Sequence, residues 1–368
     1  MRIGILTYHR AENYGALLQA YATMTYLRSL GHDVTFVDYW PQYHSDYFGL
    51  FSIGAFRKRN IKGKIAMLFR LALWGIPKYI RKKRLQGFMH ERLSLSKNPV
   101  YFDDDCITDS YDAVVYGSDQ IWRKQNLGNV VYDSWYFGSD NVRAKKKVVY
   151  AGSMGTINMD AEEEAYVIQQ MNHFDALSVR EKDLQDFLFS KGIKAQLVCD
   201  PVFLLPKEEW NEVAMLPTSK KKYILFYNLL NSQESVSFAN QLSSKTGLPI
   251  VEINKKMTLP RFVSRRYVSC ASVEQFLCLI RDAAYVVSNS FHGVAFAILF
   301  EKNFFATGMG RKANRVISLL ESAGISDRYI NNNGVPNNCD KPILYDSVKD
   351  KIDLLREMSM YYLNQSIK

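Results

Sequence analysis

Cysteine is scarce in this chain of 368 residues. The five present (Cys106, Cys199, Cys270, Cys278, Cys339) are odd in number and scattered, which excludes a disulfide framework and a zinc-type ligand spacing and fits reduced thiols in a cytoplasm. The loop RAENYGALLQA after the first strand is neither a G-x-G-x-x-G fingerprint nor a phosphate-loop motif, so nucleotide binding cannot be inferred from it. No internal repeat, low-complexity tract or bilayer-length apolar run occurs. The opening MRIGILTYHRAENYG has only a short apolar core and no small-residue cleavage pattern; it reads as a first strand, and the protein is expected in the cytoplasm.

What is present is a mostly apolar chain with localised charge. An apolar content of 47% excludes wholesale disorder, and the length suits two α/β domains. The formal net charge is +10, yet residues 57–84 alone hold eleven Lys or Arg and no Asp or Glu, leaving the remainder near neutrality. Between the basic ends, Ile65 to Trp74 is too short and too interrupted by Arg70 to span a bilayer, but a helix over 57–92 can lie on an anionic one. Three occupants of its face stay open: a membrane or lipid-linked substrate, met peripherally at the inner face; plain solvent; and nucleic acid, for which no recognisable motif exists.

Strand and helix signals alternate from the start. RIGILTY, a helix through ALLQAYATMTYLRSL closed by Gly31, and DVTFVDY form a βαβ unit. DAVVYG, KKVVYAG, ALSVRE and AQLVCD follow as short parallel-type strands. Periodicity lapses around Pro201, Pro206 and Pro217, and a second series then runs from KYILFYNLL to ANRVISLLESAG. The expected organisation is a Rossmann-like domain over 1–205, a second over 220–345, and a C-terminal helix over 346–368 packing back on the first. Ligands of open parallel sheets bind beyond the strands' carboxyl ends.

Several candidates lie at such ends. In AYVVSNSFHGVAFAILF, His292 falls in the first turn of a helix after a strand, with Ser288 and Ser290 as neighbouring donors, a position suited to phosphate or carboxylate; the alternative is that Ser290 caps and His292 packs. Arg180 in ALSVREKDL suits a planar anion, the alternative being an ion pair with Glu181. Arg311, Lys312 and Arg315 form a basic entry to the following helix. Asn13, Tyr14 and Gly15 sit between the first strand and its helix, where Gly15 would admit a ligand close to the backbone. Ser118, Asp119 and Gln120 suit sugar hydroxyls and Trp122 a stacking face, the alternative being an Asx-type turn with Trp122 in the core. No metal site is expected.

The ordered set NYGALLQAYA, YGSDQIW, YAGSMG, SVRE, DPVFLL and SNSFHG, spread over roughly residues 1 to 320, resembles the polysaccharide pyruvyl transferase family. The resemblance implies two facing Rossmann-like domains of GT-B-like architecture with a central cleft. It also implies transfer of the pyruvyl group of phosphoenolpyruvate, as donor substrate and without a cofactor, to a sugar of a polysaccharide or lipid-linked precursor. On that basis Arg180 resembles the family's anion-binding arginine and His292 its functional histidine. Arg180, Ser288, Ser290, His292, Arg311, Lys312 and Arg315 would then face the donor, and Asn13, Tyr14, Gly15, Ser118, Asp119, Gln120 and Trp122 the acceptor. Many relatives carry Arg-Leu-His where this chain has Ser290, Phe291 and His292, so Arg311, Lys312 or Arg315 is expected to supply the displaced charge. A sugar-nucleotide glycosyltransferase and a non-catalytic scaffold of polysaccharide assembly are the competing readings.

Overall fold

The computed structural model describes all residues except 42, 45–55, 58, 98, 102–108, 126–130, 218–220, 255–264, 311–312, 332–333, 337–338 and 340. In chain order the elements of the first half are β1 (Arg2–Leu6), α1 (Tyr14–Ser29), β2 (Asp33–Phe36), α2 (Ile61–Arg92), β3 (Tyr111–Tyr116), β4 (Ala144–Val149), α3 (Ala161–Met171), β5 (Ser178–Val179), α4 (Lys182–Ser190) and β6 (Gln196–Leu197). After α5 (Lys207–Val213) come β7 (Ile224–Asn228), α6 (Gln233–Thr246), β8 (Ile250–Asn254), β9 (Arg265–Tyr267), α7 (Val273–Arg281), β10 (Tyr285–Ser288), α8 (Phe291–Leu299), β11 (Asn303–Thr307), α9 (Asn314–Ala323), β12 (Tyr329–Ile330) and α10 (Tyr345–Ile367).

The strands sort into two parallel sheets. The first runs β2-β1-β3-β4, and the bridges Val148 to Ala176 and Gly152 to Val179 continue it into the β5-β6 pair. The second runs β12-β11-β10-β7-β8-β9. β7 and β8 are buried along their whole length, as strands covered by helices on both faces must be. Two Rossmann-like units result. In each sheet the strand order reverses once: between β1 and β3 in the first, between β7 and β10 in the second. At such a reversal adjacent connections leave toward opposite faces and open a crevice at the carboxyl ends. The loops that follow β1, β3 and β10 are therefore the places where polar side chains can converge.

The two units share a core. Tyr14, at the start of α1, stacks on Phe276 of α7 with ring centroids 4.6 Å apart, and its hydroxyl donates to the Ala271 carbonyl at 2.9 Å. Helix α10 begins on the second unit, where the Tyr345 hydroxyl donates to the Lys302 carbonyl at 2.6 Å, and ends on the first. There the Tyr362 hydroxyl donates to the Val149 carbonyl and the Ser359 hydroxyl accepts from the Cys199 N–H, both at 2.9 Å. The basic segment forms a helix from Ile61, capped by the Asn60 side chain at the Gly63 N–H. No helix of the described residues is long and apolar enough to cross a membrane.

Candidate active site

Four loop ends bring their side chains to one buried cluster. Arg180 follows β5 and is almost fully enclosed, its side chain 1% exposed. Its Nη1 donates to Asp200 Oδ2 and lies 3.2 Å from the Ser118 hydroxyl, and its Nε lies 3.4 Å from Glu181 Oε1. Asp200 is placed by the Pro201–Phe203 turn it caps, with Oδ1 accepting from the Val202 N–H. The Phe291 ring, at the start of α8, is shared by two cations: the guanidinium carbon of Arg180 lies 5.0 Å from its centroid and that of Arg315, from α9, 5.7 Å. His292 completes the cluster, with Nε2 3.8 Å from Asp200 Oδ2.

His292 lies at the carboxyl end of β10 and in the first turn of α8. It rests on Gly15 of the opposite unit, where a β-carbon would fall 2.0 Å from Nδ1. The expectation for Gly15 is corrected: the space above its backbone is filled by the imidazole, not left for a ligand. Gly15→Ala is accordingly expected to displace the ring and lower turnover by at least about tenfold while the far-ultraviolet circular dichroism is unchanged. Unaltered turnover would show that the ring's seat does not matter.

Three nitrogens in this cluster are buried without a hydrogen-bond partner: Arg180 Nη2, Arg315 Nε and His292 Nε2. The carboxylates nearest them stand off at 3.6 Å (Asp119), 3.9 Å (Glu181) and 3.8 Å (Asp200), beyond hydrogen-bond reach. Buried polar groups are nearly always paired, so two unmatched guanidinium N–H groups beside an unmatched imidazole nitrogen fit a site built to receive polar ligand atoms. The titrations are pushed apart. Burial lowers the His292 imidazole and, with the neighbouring guanidiniums, outweighs the pull of Asp200 and Asp119, favouring the neutral ring. Burial raises the Glu181 carboxyl against the pull of Arg180 and Arg315. Burial and the proximity of Arg180 bring Arg315 down to about 10. Arg180 is raised because Asp200, Glu181 and Asp119 together outweigh the opposing effect of burial.

The remaining predicted residues divide. Ser118 and Asp119, expected on the acceptor side, belong to the arginine cluster: Ser118 is fully buried with its hydroxyl donating to the Ala151 carbonyl at 3.1 Å, and the Arg180 guanidinium, set against the opposing effect of burial, holds the Asp119 carboxyl below its ordinary range. Ser288 turns inward and bonds the Ser290 backbone. Ser290 is the N-cap residue of α8, but its hydroxyl makes no capping bond. Asn13 caps α1, accepting from the Gly15 N–H at 3.0 Å. Gln120 packs over Gly155. Two readings are corrected outright. Trp122 is no stacking face: it is wholly buried beside Phe137, its indole N–H donating to the Tyr136 carbonyl at 2.8 Å. Tyr14 faces no acceptor either, since its ring and hydroxyl are spent in the core between the units. Arg311 and Lys312 lie outside the described residues. Among the described residues no three His, Cys, Asp or Glu side chains form a group able to hold a metal ion.

Asp200 is the residue to which sequence reasoning assigned no role, and Glu181 entered it only as the alternative ion-pair partner of Arg180, a contact the structure has at 3.4 Å. Both stand inside the quoted motifs DPVFLL and SVRE, and a buried arginine demands carboxylates from somewhere; that demand was the signal available.

Two parallel-sheet units with a charged, buried cluster between the ends of their strands define a two-domain α/β protein with a cation-rich buried site. The chain belongs to the polysaccharide pyruvyl transferase family, whose model matches residues 13–309. It is thus a transferase of polysaccharide pyruvylation. No curated protein matches it significantly. Among solved structures it is similar to UDP-GlcNAc 2-epimerase of Neisseria meningitidis bound to UDP-GlcNAc (10% identity, TM-score 0.47, 100% of this chain and 94% of that one). It is also similar to UDP-N-acetylglucosamine 2-epimerase of Rickettsia bellii (12%, 0.43, 100% and 96%). A third is UGT89C1 of Arabidopsis thaliana complexed with quercetin (9%, 0.44, 98% and 94%).

Proposed function

We propose that the cluster binds phosphoenolpyruvate and transfers its pyruvyl group, as a ketal, to two hydroxyls of a sugar in a polysaccharide or lipid-linked precursor. The observation that carries this reading is the set of three buried, unpartnered nitrogens on Arg180, Arg315 and His292. A donor with a carboxylate and a phosphate offers oxygens to both guanidiniums, which suit such anions, while an unpartnered Nε2 leaves the neutral His292 ring able to take a proton there. The first turn of α8 adds backbone N–H groups and the positive end of its dipole. Arg315, lying over Phe291, supports the expectation that it supplies the charge of the arginine that many relatives carry at position 290.

The opposed titrations suggest who moves protons. Glu181, held toward its protonated form, delivers a proton to the donor's methylene carbon, whose π electrons form the new C–H bond. The resulting oxocarbenium-like centre is attacked by the first sugar hydroxyl, whose proton passes to neutral His292. Phosphate then leaves with the electrons of its C–O bond and takes that proton from His292; the second hydroxyl attacks the carbon so exposed and closes the ring, and its proton returns to the Glu181 carboxylate. Arg180 and Arg315 offset the charge gathering on phosphate.

The test is to incubate the protein with phosphoenolpyruvate and a panel of galactoside and mannosamine-type acceptors, following phosphate release and product mass. Stoichiometric phosphate and a pyruvyl-ketal product are expected, as is a rise in melting temperature with phosphoenolpyruvate. Release with no acceptor in the panel, together with stabilisation by a nucleoside diphosphate instead, would move the chain to sugar-nucleotide chemistry.

A further inference from the structure

We infer that the outer face of α2 is a docking surface for an anionic lipid bilayer. This stands on different observations from the donor chemistry and does not depend on it.

The helix has two unlike sides. Toward its C-terminal end Leu85, Phe88 and Met89 are buried, with Phe88 against Tyr21 of α1 at 5.8 Å between ring centroids. About half a turn round the axis, at 3.6 residues per turn, Ile61, Ile65, Leu68, Phe69, Ile76 and Tyr79 form a stripe with the spacing of one helix face. All are exposed, Ile61 by 76% and Ile76 by 70%. Large apolar side chains so grouped mark an interaction surface.

The charge selects the occupant. Residues 57–84 hold eleven basic and no acidic residues, so a second copy of the helix would meet like charge, whereas anionic headgroups meet both the charge and the stripe. The helix is also tied to the loop that precedes α1 and to the one that precedes α7. Arg81 donates to the Glu12 carbonyl at 3.3 Å, Lys82 pairs with the Glu12 carboxylate at 3.1 Å, and Arg84 donates to the Cys270 carbonyl at 2.6 Å. Glu12 lies three residues before the glycine on which His292 rests. Because Arg81, Lys82 and Arg84 tether the helix to the protein, Lys62 and Lys64 are the better basic residues to alter.

The experiment is flotation with phosphatidylcholine vesicles, with and without about one-third phosphatidylglycerol, at low and high salt. The full chain is compared with two multiple variants, Leu68→Ser with Phe69→Ser and Ile76→Ser, and Lys62→Gln with Lys64→Gln. The unaltered protein is expected to float only with anionic vesicles and less so in salt, and each variant to partition at least about tenfold more weakly. Transfer to a water-soluble acceptor should be equal in all three, which separates a docking defect from a failed activity. Equal partition into both vesicle types, or an unchanged apolar-stripe variant, overturns the inference. So does a concentration-dependent dimer in sedimentation that the stripe variant loses, which would assign the face to a second copy.

Discussion

Alanine in place of His292 is expected to cut turnover by about two to four decades, the usual worth of a positioned proton-transfer group, while the protein stays folded. The side chain is buried against Gly15 and makes no hydrogen bond through Nε2, so its removal costs packing but breaks no network. The pH dependence gives a second readout. Burial lowers the imidazole, so the neutral form persists below the ordinary histidine range, and the acid limb of kcat/KM in the free enzyme should lie below that range. Bound phosphate favours the cation, so the limb of kcat should move up. The same shift makes the unfolded chain the better proton acceptor: stability from neutral burial is complete above the ordinary imidazole value and is lost as pH falls toward the folded one. His292→Ala should lack that loss. Near-normal turnover in the variant would falsify the assignment.

Much of this was legible without coordinates because periodicity is a local property. The runs YVVS and FHGVAFAIL each declare their type, and their junction puts His292 beyond a strand's carboxyl end whatever the rest of the fold does. SVRE declared Arg180 in the same way. What sequence could not supply was direction. Tyr14 and Trp122 are amphipathic residues beside polar neighbours, a pattern shared by sugar platforms and by core residues whose polar tips are satisfied. Only the positions of the Ala271 and Tyr136 carbonyls decide between them. Ser118 moved from the acceptor side to the arginine cluster for a related reason, since its neighbour Asp200 is 82 residues away in the chain. The edge strands β9 and β12, of three and two residues, are too short to carry a period.

The last large effect concerns the Arg180 and Asp200 pair, in which both side chains are shut from solvent. Asp200→Leu alone leaves a buried guanidinium without its main partner and is expected to cost about 3–5 kcal/mol in denaturant unfolding; Arg180→Met alone strands the carboxylate at a similar cost. Combining the two removes both charges, and because well-packed apolar pairs of like volume are often neutral replacements, the double variant should recover most of the lost stability. Activity should not return with it. Arg180 has a second arm, Nη2, that Asp200 does not hold, and it is this arm that the proposed donor would engage. Arg180→Met should therefore raise the KM for phosphoenolpyruvate and lower turnover both alone and in the stabilised double variant. Were the arginine there only to neutralise Asp200, activity and stability would rise together in the double variant, so recovery of the fold without recovery of transfer is the result that separates a gripping residue from a structural one.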